Sequence, residues 1–269
     1  MRAILCLSLL VLASACGGDG PPPTELVDAA KAHVERATAV THLTRGALEA
    51  LGLLPVYTCG EPRRAFLSTA ASGVRVEHAC VTTSVEPVDA VTDAVVLTFQ
   101  GPGCELHGLR FAGRAVFAYR GGEDLMEVEA DLRGLTVDGQ ALPATVGYGT
   151  CGDETRVWTK LEGDLPGHAG YTVRVDARLA SRSGVPLLGG STLILDGTGA
   201  LTGPEGGSSL TFTALHYEPG EFLPKQGTAV LETADGHRVE AGFQPTLWRL
   251  GKVEVTVDAY EPVTVPILR

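Results

Sequence analysis

The sequence predicts a mainly β fold, an antiparallel sheet system of about ten strands that follows one N-terminal α-helix. Three observations carry this prediction. Apolar residues recur with a helical period near the start of the chain, and the period changes to two beyond residue 90. Glycine accounts for 34 of 269 residues, and Gly-containing dipeptides separate the short apolar runs. A sandwich and a strongly curved sheet, or open barrel, both satisfy this pattern.

Residues 1–15 have the composition of a removable signal peptide. Arg2 precedes an apolar run over residues 3–13, which is shorter than the roughly 20 residues of a membrane-spanning helix. The run ends in LASAC, residues 12–16, which resembles a bacterial lipobox. In that family the cysteine thiol carries diacylglycerol, the signal is cut before it, and the new amino terminus is acylated. The resemblance implies lipidation of Cys16; ordinary cleavage, which leaves Cys16 free or paired, is the alternative.

Residues 16–23 are expected to form a lipidated tether. The segment after Cys16 is GGDGPPP, and a proline run favours an extended spacer. We therefore expect the membrane, reached through the lipid on Cys16, to be one partner. Position 17 is Gly rather than the Asp that resembles an inner-membrane retention signal, so the expected location is the cell envelope at the outer membrane.

Four cysteines remain once Cys6 leaves with the signal and Cys16 carries lipid. An even number in an exported chain predicts two disulfides. We expect the pairs Cys59–Cys80 and Cys104–Cys151, because pairs that are nearest in sequence keep each bridge within one structural unit; the other pairings stay open. Zinc binding is the competing interpretation, but gaps of 21, 24 and 47 residues do not match C-x₂₋₄-C spacing.

An amphipathic helix is predicted over residues 24–51. The Ala-rich character of its apolar stripe favours packing on a sheet, and Gly52 with Pro55 ends the helix. The stripe consists of Leu26, Ala30, Val34, Ala37, Val40, Leu48 and Leu51. The opposite, polar side carries Asp28, Lys31, Glu35, His42 and Glu49, with Arg36 and Arg45 at the borders and Leu43 off the stripe.

Residues 24–269 are expected to form a single domain, with a division into sub-modules at about 90–165 and 166–269 as an alternative. Residues 55–90 fit neither period. The candidate strands cover residues 95–99, 111–119, 125–132, 156–161, 171–179, 192–195, 209–217, 227–233, 237–243 and 252–260. Turns are expected at Asp138-Gly139, Asp196-Gly197 and Asp235-Gly236.

A weak internal echo accompanies these strands. Residues 97–104, LTFQGPGC, lead through Gly108 to the LTVDG of residues 135–139, and the later segment around PKQGTAV has a related form. This arrangement resembles a Gly- and Cys-rich pattern of exported bacterial lipoproteins. The resemblance covers residues 95–258 loosely and implies an architecture, without an activity.

Candidate chemistry is sparse. The chain contains no G-x-S-x-G, H-E-x-x-H or Walker A motif. Residues 147–152 match G-x-G-x-x-G, but a strand is predicted where a dinucleotide site needs a helix, so we interpret them as a Gly-rich turn. The seven histidines lack metal-ligand spacing. We expect no cofactor and no metal.

One acidic strand is the chemically suggestive cluster. Alternate residues of a strand share a face, so Glu127, Glu129 and Asp131, with Glu123-Asp124 nearby, could attract Ca²⁺ or supply an acid/base pair. A solvated strand face that blocks edge pairing is the favoured interpretation. The aromatic residues Trp158, Trp248, Tyr171 and Tyr217 could stack on sugars, although core packing is expected for most of them.

The expected function is that of a lipid-anchored, non-catalytic binding, adhesion or structural module of the cell envelope, with an unknown ligand or protein as partner. A formal net charge of −11 makes nucleic acid an unsuitable partner. Two alternatives stay open. A curved sheet closed by a helix would suit a lipid or lipoprotein carrier, and the carboxylates of residues 127–131 would suit a glycan hydrolase.

Overall fold

The computed structural model describes residues 20–121, 125–151, 156–179, 193–217, 223–244 and 250–268. The signal, Cys16, Glu123, Asp124 and Trp248 lie outside these ranges. The helices are α1 (Thr24–Leu51) and α2 (Arg63–Glu77). The strands are β1 (Val81–Pro87), β2 (Thr92–Leu106), β3 (Leu109–Gly121), β4 (Met126–Asp131), β5 (Leu135–Val137), β6 (Gln140–Ala141), β7 (Ala144–Thr150), β8 (Arg156–Asp164), β9 (Thr172–Leu179), β10 (Leu193–Gly203), β11 (Gly206–Tyr217), β12 (Gln226–Glu232), β13 (Arg238–Phe243), β14 (Leu250–Val257) and β15 (Val263–Leu268).

All of these strands belong to one antiparallel sheet, which confirms the predicted fold class. Their order is β1-β2-β3-β4-β7 and then β8 to β15 in sequence, so almost every strand pairs with its neighbours in the chain. The short strands β5 and β6 pair with each other, and β5 also pairs with β3. The sheet ends at β1 and β15 and does not close into a barrel.

The two faces of the sheet differ in polarity, as the period of two predicts. In β4, Met126, Val128 and Ala130 are buried, whereas Glu127 and Glu129 are exposed. Most of the other strands repeat this alternation, although in β2 residues 92–97 are all buried. The buried apolar side chains of the inner face and of the helices form a single hydrophobic core. We call the apolar face of the sheet the inner face and the polar face the outer face.

The structure has more elements than the sequence predicted. Strands β1, β5, β6, β7 and β15 and helix α2 were not predicted. The segments of β1 and β7, VTTSVEP and ATVGYGT, are rich in Thr, Ser, Gly and Pro, so their apolar content is too low for a clear pattern. Two predicted turns were also wrong: Asp196-Gly197 forms a bulge within β10, and Gly147 and Gly149 lie inside β7.

Helix α1 occupies the residues predicted for it and lies against the inner face of the sheet. It packs on β7 and β8 from one part of the sheet and on β13, β14 and β15 from another. At Gly46, an added Cβ would lie 3.1 Å from Val137 of β5, so this glycine allows a close approach of helix and sheet. Every residue from Leu43 to Leu51 is buried. The sheet therefore curves around the C-terminal half of the helix.

The polar side of α1 is solvent-exposed as predicted only near the start of the helix, where Asp28 and Glu35 are exposed. Farther along the helix it is buried. Arg45 is 1% exposed, Glu49 6%, and Leu43, which falls off the predicted stripe, 0%. Amphipathic periodicity assumes that one side of a helix faces water. Because strands cover this part of α1 on several sides, its polar side chains are buried together with its apolar ones.

A buried carboxylate fixes the start of α2 to the sheet. The side chain of Asp93, at the start of β2, is 2% exposed and accepts hydrogen bonds from Nε of Arg63 at 2.6 Å and of Arg64 at 3.2 Å. Arg63 also donates to the carbonyl oxygens of Val91 and Gly121. Burial alone would raise the pKa of Asp93, but the two guanidinium groups outweigh it and hold the pKa below its ordinary value.

We expect Asp93→Asn to lower the free energy of unfolding by about 2–3 kcal/mol at pH 7. The pKa of Asp93 is lower in the folded state than the unfolded value of about 3.9. Its contribution is therefore complete above that value and is lost as the pH falls through the folded pKa. Urea unfolding from pH 7 to pH 3 should show the two proteins converging at low pH. The control is Asp28→Asn, an exposed change on α1; a constant gap between wild type and Asp93→Asn would contradict the prediction.

The four cysteines form two disulfides, as predicted, but the pairing that we favoured is wrong. The bonds join Cys59 to Cys151 and Cys80 to Cys104, not Cys59 to Cys80 and Cys104 to Cys151. Cys80 immediately precedes β1, which pairs with the strand that contains Cys104. Residues 52–59 follow α1, and the last of them, Cys59, lies beside Cys151, the residue that follows β7. Contacts across the sheet, rather than nearness in sequence, therefore decide the pairing.

Candidate functional site

The acidic strand lies on the outer face, where the predicted alternation places it. Glu127 and Glu129 are exposed, and side chains two residues apart on one strand are separated by about 7 Å. Asp131 differs from them, because Arg133 donates to both of its carboxylate oxygens, at 2.9 and 2.7 Å. These hydrogen bonds lower the pKa of Asp131. The structure thus separates Asp131, held in a local ion pair, from the pair Glu127 and Glu129.

Trp158 also lies on the outer face, not in the core. Its neighbours in β8, Val157 and Thr159, are buried on the inner face, and Trp158 is partly exposed. The indole ring covers Gly147 of the adjacent strand β7: an added Cβ at Gly147 would lie 2.6 Å from Cζ2 of Trp158. A glycine at this position is what allows the ring to lie down on the neighbouring backbone.

The strand register brings this ring beside the acidic pair. Across β4, β7, β8 and β9, Glu129 is opposite Gly147, Gly147 is opposite Trp158, and Trp158 is opposite Arg178. Three strand spacings separate Glu129 from Arg178, or about 14 Å. The ammonium of Lys160 lies 5.3 Å from the centre of the indole ring.

We call this surface the Trp158 platform. It combines an aromatic ring, two carboxylates that accept hydrogen bonds and two cations that donate them. At Gly147 and Gly149, the outer face of the middle strand, β7, carries no side chain. The members of the platform are Glu127, Glu129, Gly147, Gly149, Trp158, Lys160 and Arg178.

A second polar cluster lies where α1 begins. An open pocket of about 300 Å³ separates the first turns of α1 from the β12–β13 hairpin and is lined by His33, Asp235 and His237 among others. The hydrogen bond of His237 to Asp258, at 2.7 Å, raises the pKa of His237. Burial and the neighbouring Arg36 lower the pKa of His33. Within this pocket, the environment thus favours the protonated form of His237 and the neutral form of His33.

Arg36 joins α1 to two turns of the sheet. Its guanidinium donates to the hydroxyl of Tyr171 at 3.0 Å, lies 3.1 Å from a carboxylate oxygen of Glu205, and stacks 4.4 Å from the centre of the Tyr171 ring. The hydroxyl of Tyr171 also donates to Glu205. Burial, followed by this hydrogen bond to Glu205, raises the pKa of Tyr171. The arrangement holds the helix in place and leaves Tyr171 committed to a structural role.

A third cluster lies inside the molecule. Nε of Arg45 is 3.6 Å from Oε1 of Glu49, and Nδ1 of His107 is 2.9 Å from Oε2 of the same carboxylate. Arg45 also donates to the carbonyl oxygen of His107 at 3.2 Å. Tyr217, which we had considered for sugar stacking, is fully buried near this cluster, with its ring centre 5.8 Å from the guanidinium carbon. This cluster connects α1 to the tip of the β2–β3 hairpin.

The remaining site predictions divide as follows. The cysteines at 59, 80, 104 and 151 are all consumed in disulfides. Within the described ranges, no three His, Cys, Asp or Glu side chains converge in a way that could hold a metal ion. Neither described helix has the length and apolarity of a membrane span. The sequence analysis named Trp158 and the glutamates separately but did not predict that they lie side by side. The available signal was Gly147-x-Gly149 in the segment before the strand that contains Trp158.

Known proteins add no assignment to this geometry. Comparison with protein-family models, with curated proteins and with solved structures finds no match to the chain.

Proposed function

We propose that this chain is a lipid-anchored protein of the cell envelope that acts as a non-catalytic binding module through the outer face of its sheet. The observation that carries the proposal is the position of α1. The helix fills the concave side of the sheet, and its residues 43–51 are buried on every side. Partners therefore have the outer face and the ends of the strands as their contact surfaces.

The filled inner face favours a binding module over a carrier. A carrier of acyl chains needs an apolar cavity between sheet and helix. Here that space holds the side chains of α1, including the buried pair Arg45 and Glu49, and the packing at Gly46 is as close as 3.1 Å for an added Cβ. An acyl chain in this space would have to lie against a buried ion pair. It could not supply the hydrogen bonds and counter-charges that offset the desolvation of such a pair.

The start of the fold suits a short membrane tether. The carbonyl oxygen of Gly20 accepts a hydrogen bond from the N–H of Glu261, between β14 and β15, at 3.3 Å. Four residues span at most about 14 Å, so a lipid on Cys16 would hold this end of the molecule close to the bilayer. Neighbouring strands alternate in direction, so the turns after β8, β10, β12 and β14 lie at the same end. Trp158 is six residues from the end of β8, up to about 20 Å farther from the membrane.

The anchor is tested by expressing the full chain with its own signal in a bacterium. We expect the wild-type protein to partition into detergent, with an intact mass raised by acyl groups on Cys16. The matched variant Cys16→Ser should be exported without the added mass and should stay in the aqueous phase. An aqueous wild-type protein that lacks the lipid mass would refute the anchor.

The binding-module assignment is tested on the Cys16→Ser protein, purified from the periplasm without added lipid. Native mass spectrometry should show the bare polypeptide, because among the described residues the space between the C-terminal half of α1 and the sheet is occupied by side chains. The pocket of about 300 Å³ beside the first turns of α1 is open and partly polar. A co-purifying lipid mass that is lost on denaturation would overturn the assignment in favour of a carrier.

A further inference from the structure

We propose that the Trp158 platform is a glycan-binding site for chains of neutral hexoses or N-acetylhexosamines. This inference rests on the proposed function and gives its ligand a chemical class. The first observation behind it is the position of the Trp158 ring on the backbone of β7. Gly147 lets the indole lie on the strand beneath it, since an added Cβ there would lie 2.6 and 2.9 Å from two ring atoms.

A ring fixed in this way suits the apolar C–H face of a sugar. Trp158 supplies a rigid surface that loses little conformational entropy on binding, because its position is set by the backbone below it. Among the described side chains, none lies within 4 Å of a Cβ added at Gly149, on the same face of β7. The open strip next to the ring leaves space for the sugar unit that follows the stacked one.

The polar side chains around the ring match sugar hydroxyls. Glu127 and Glu129 can accept hydrogen bonds on one side of the ring, and Arg178 can donate them on the other. The ammonium of Lys160 lies over the ring, 5.3 Å from its centre, so a stacked sugar displaces it and can then accept a hydrogen bond from it. Hydroxyl groups both donate and accept, so a sugar chain that crosses the platform can use both sides. The distance of about 14 Å from Glu129 to Arg178 exceeds the width of a single sugar ring.

Charge and position disfavour other occupants. The formal net charge of −11 and the two exposed glutamates repel nucleic acid and polyanionic glycans, although bases also stack on aromatic rings. A membrane surface would require a contiguous apolar patch, and charged side chains surround Trp158. Cleavage is not part of the proposal: the two glutamates project side by side from one strand, whereas the carboxyl groups of glycosidases flank the scissile bond.

The test is calorimetric titration of the Cys16→Ser protein with chitohexaose and with cellohexaose, with maltohexaose as a third probe of different chain shape. We expect saturable binding of at least one of the β-linked chains, without release of shorter products. The chain has two tryptophans, so in a Trp248→Phe background the emission comes from Trp158 alone. That emission should shift and become protected from acrylamide when sugar is added.

Variants assign the binding to the platform. Trp158→Ala should weaken binding by about tenfold or more, and Trp158→Phe by less, because a smaller ring keeps part of the stacking surface. Thr211→Ala, an exposed change on the outer face of β11, should leave it unchanged. Gly147→Ala should also weaken binding, because the added Cβ would lie 2.6 Å from the ring and 2.4 Å from the carbonyl oxygen of Val128 in β4.

Two results would overturn the proposal. One is the lack of saturable binding for all three sugars, and the other is a folded Trp158→Ala protein that binds as tightly as wild type. Circular dichroism and thermal unfolding establish the folding of each variant, and Trp158→Phe decides the matter if Trp158→Ala does not fold. Neither result changes the outcome of the two tests of the proposed function, which are the acyl mass on Cys16 and the native mass of the Cys16→Ser protein without bound lipid. The glycan site and the proposed function can therefore fail separately.

Discussion

Replacement of Arg45 by methionine is expected to lower the free energy of unfolding by about 3–5 kcal/mol. The substitution leaves Glu49 buried, at 6% exposure, without the guanidinium that lies 3.6 Å from it. Glu49 keeps its contact with Nδ1 of His107 at 2.9 Å, but without the guanidinium this single contact has to offset the desolvation of a buried carboxylate. Urea unfolding at pH 7, followed by circular dichroism, measures the loss.

The matched control lies on the same helix. Lys31 and Glu35 form an i,i+4 pair at 4.0 Å, but their side chains are 45% and 47% exposed. Lys31→Met should therefore cost less than about 1 kcal/mol. The double variant Arg45→Met/Glu49→Gln should recover part of the loss, because it removes the buried negative charge that has lost its guanidinium partner. Equal losses for Arg45→Met and Lys31→Met would contradict the prediction, because they would mean that water reaches Arg45 and Glu49 as it reaches the exposed pair.

Removal of the Cys59–Cys151 disulfide should cost about 4–5 kcal/mol in the chain-entropy description. The bond closes a loop with a sequence separation of 92, compared with 24 for Cys80–Cys104. The shorter loop gives about 3–4 kcal/mol by the same relation. The measurement compares urea unfolding of wild type with Cys59→Ala/Cys151→Ala and with Cys80→Ala/Cys104→Ala.

Peptide mapping without reductant is the control for this experiment. It should link the peptide that contains Cys59 to the one that contains Cys151, and it should show the Cys80–Cys104 bond intact in the first double variant. A loss below about 1 kcal/mol for Cys59→Ala/Cys151→Ala would contradict the loop-entropy account, because the long loop would then be restrained by packing alone.

Local patterns in the sequence sufficed for the fold class, for the range of α1 and for the orientation of β4. Each of these depends on neighbouring residues: a 3.6-residue period over 24–51, and strict alternation from Met126 to Asp131. Glycine-containing turns between short apolar runs were enough to predict an antiparallel sheet system, but did not decide between a sandwich and a single curved sheet.

Properties that depend on distant contacts could not be predicted in this way. The polar side of the C-terminal half of α1 is buried because the sheet curves around it, which no periodicity within 24–51 records. The disulfide pairing follows from the pairing of β1 with β2 and from the contact of the segment before Cys59 with β7, where the N–H of Tyr57 donates to the hydroxyl of Tyr148. The Trp158 platform requires that β4 skip β5 and β6 to pair with β7, which brings Glu129 opposite Gly147.

The enclosure of α1 has a consequence for the order in which the chain assembles. The helix is the first described element of the chain, yet it packs on β13, β14 and β15, the last described ones. The sheet can grow by adding hairpins between sequence neighbours, which are fast, local steps. Strands β7 and β8 cover part of α1, but the rest of its apolar stripe stays open until β13 to β15 are in place. During that interval the uncovered part of the stripe is the surface on which an unfinished molecule would associate with others.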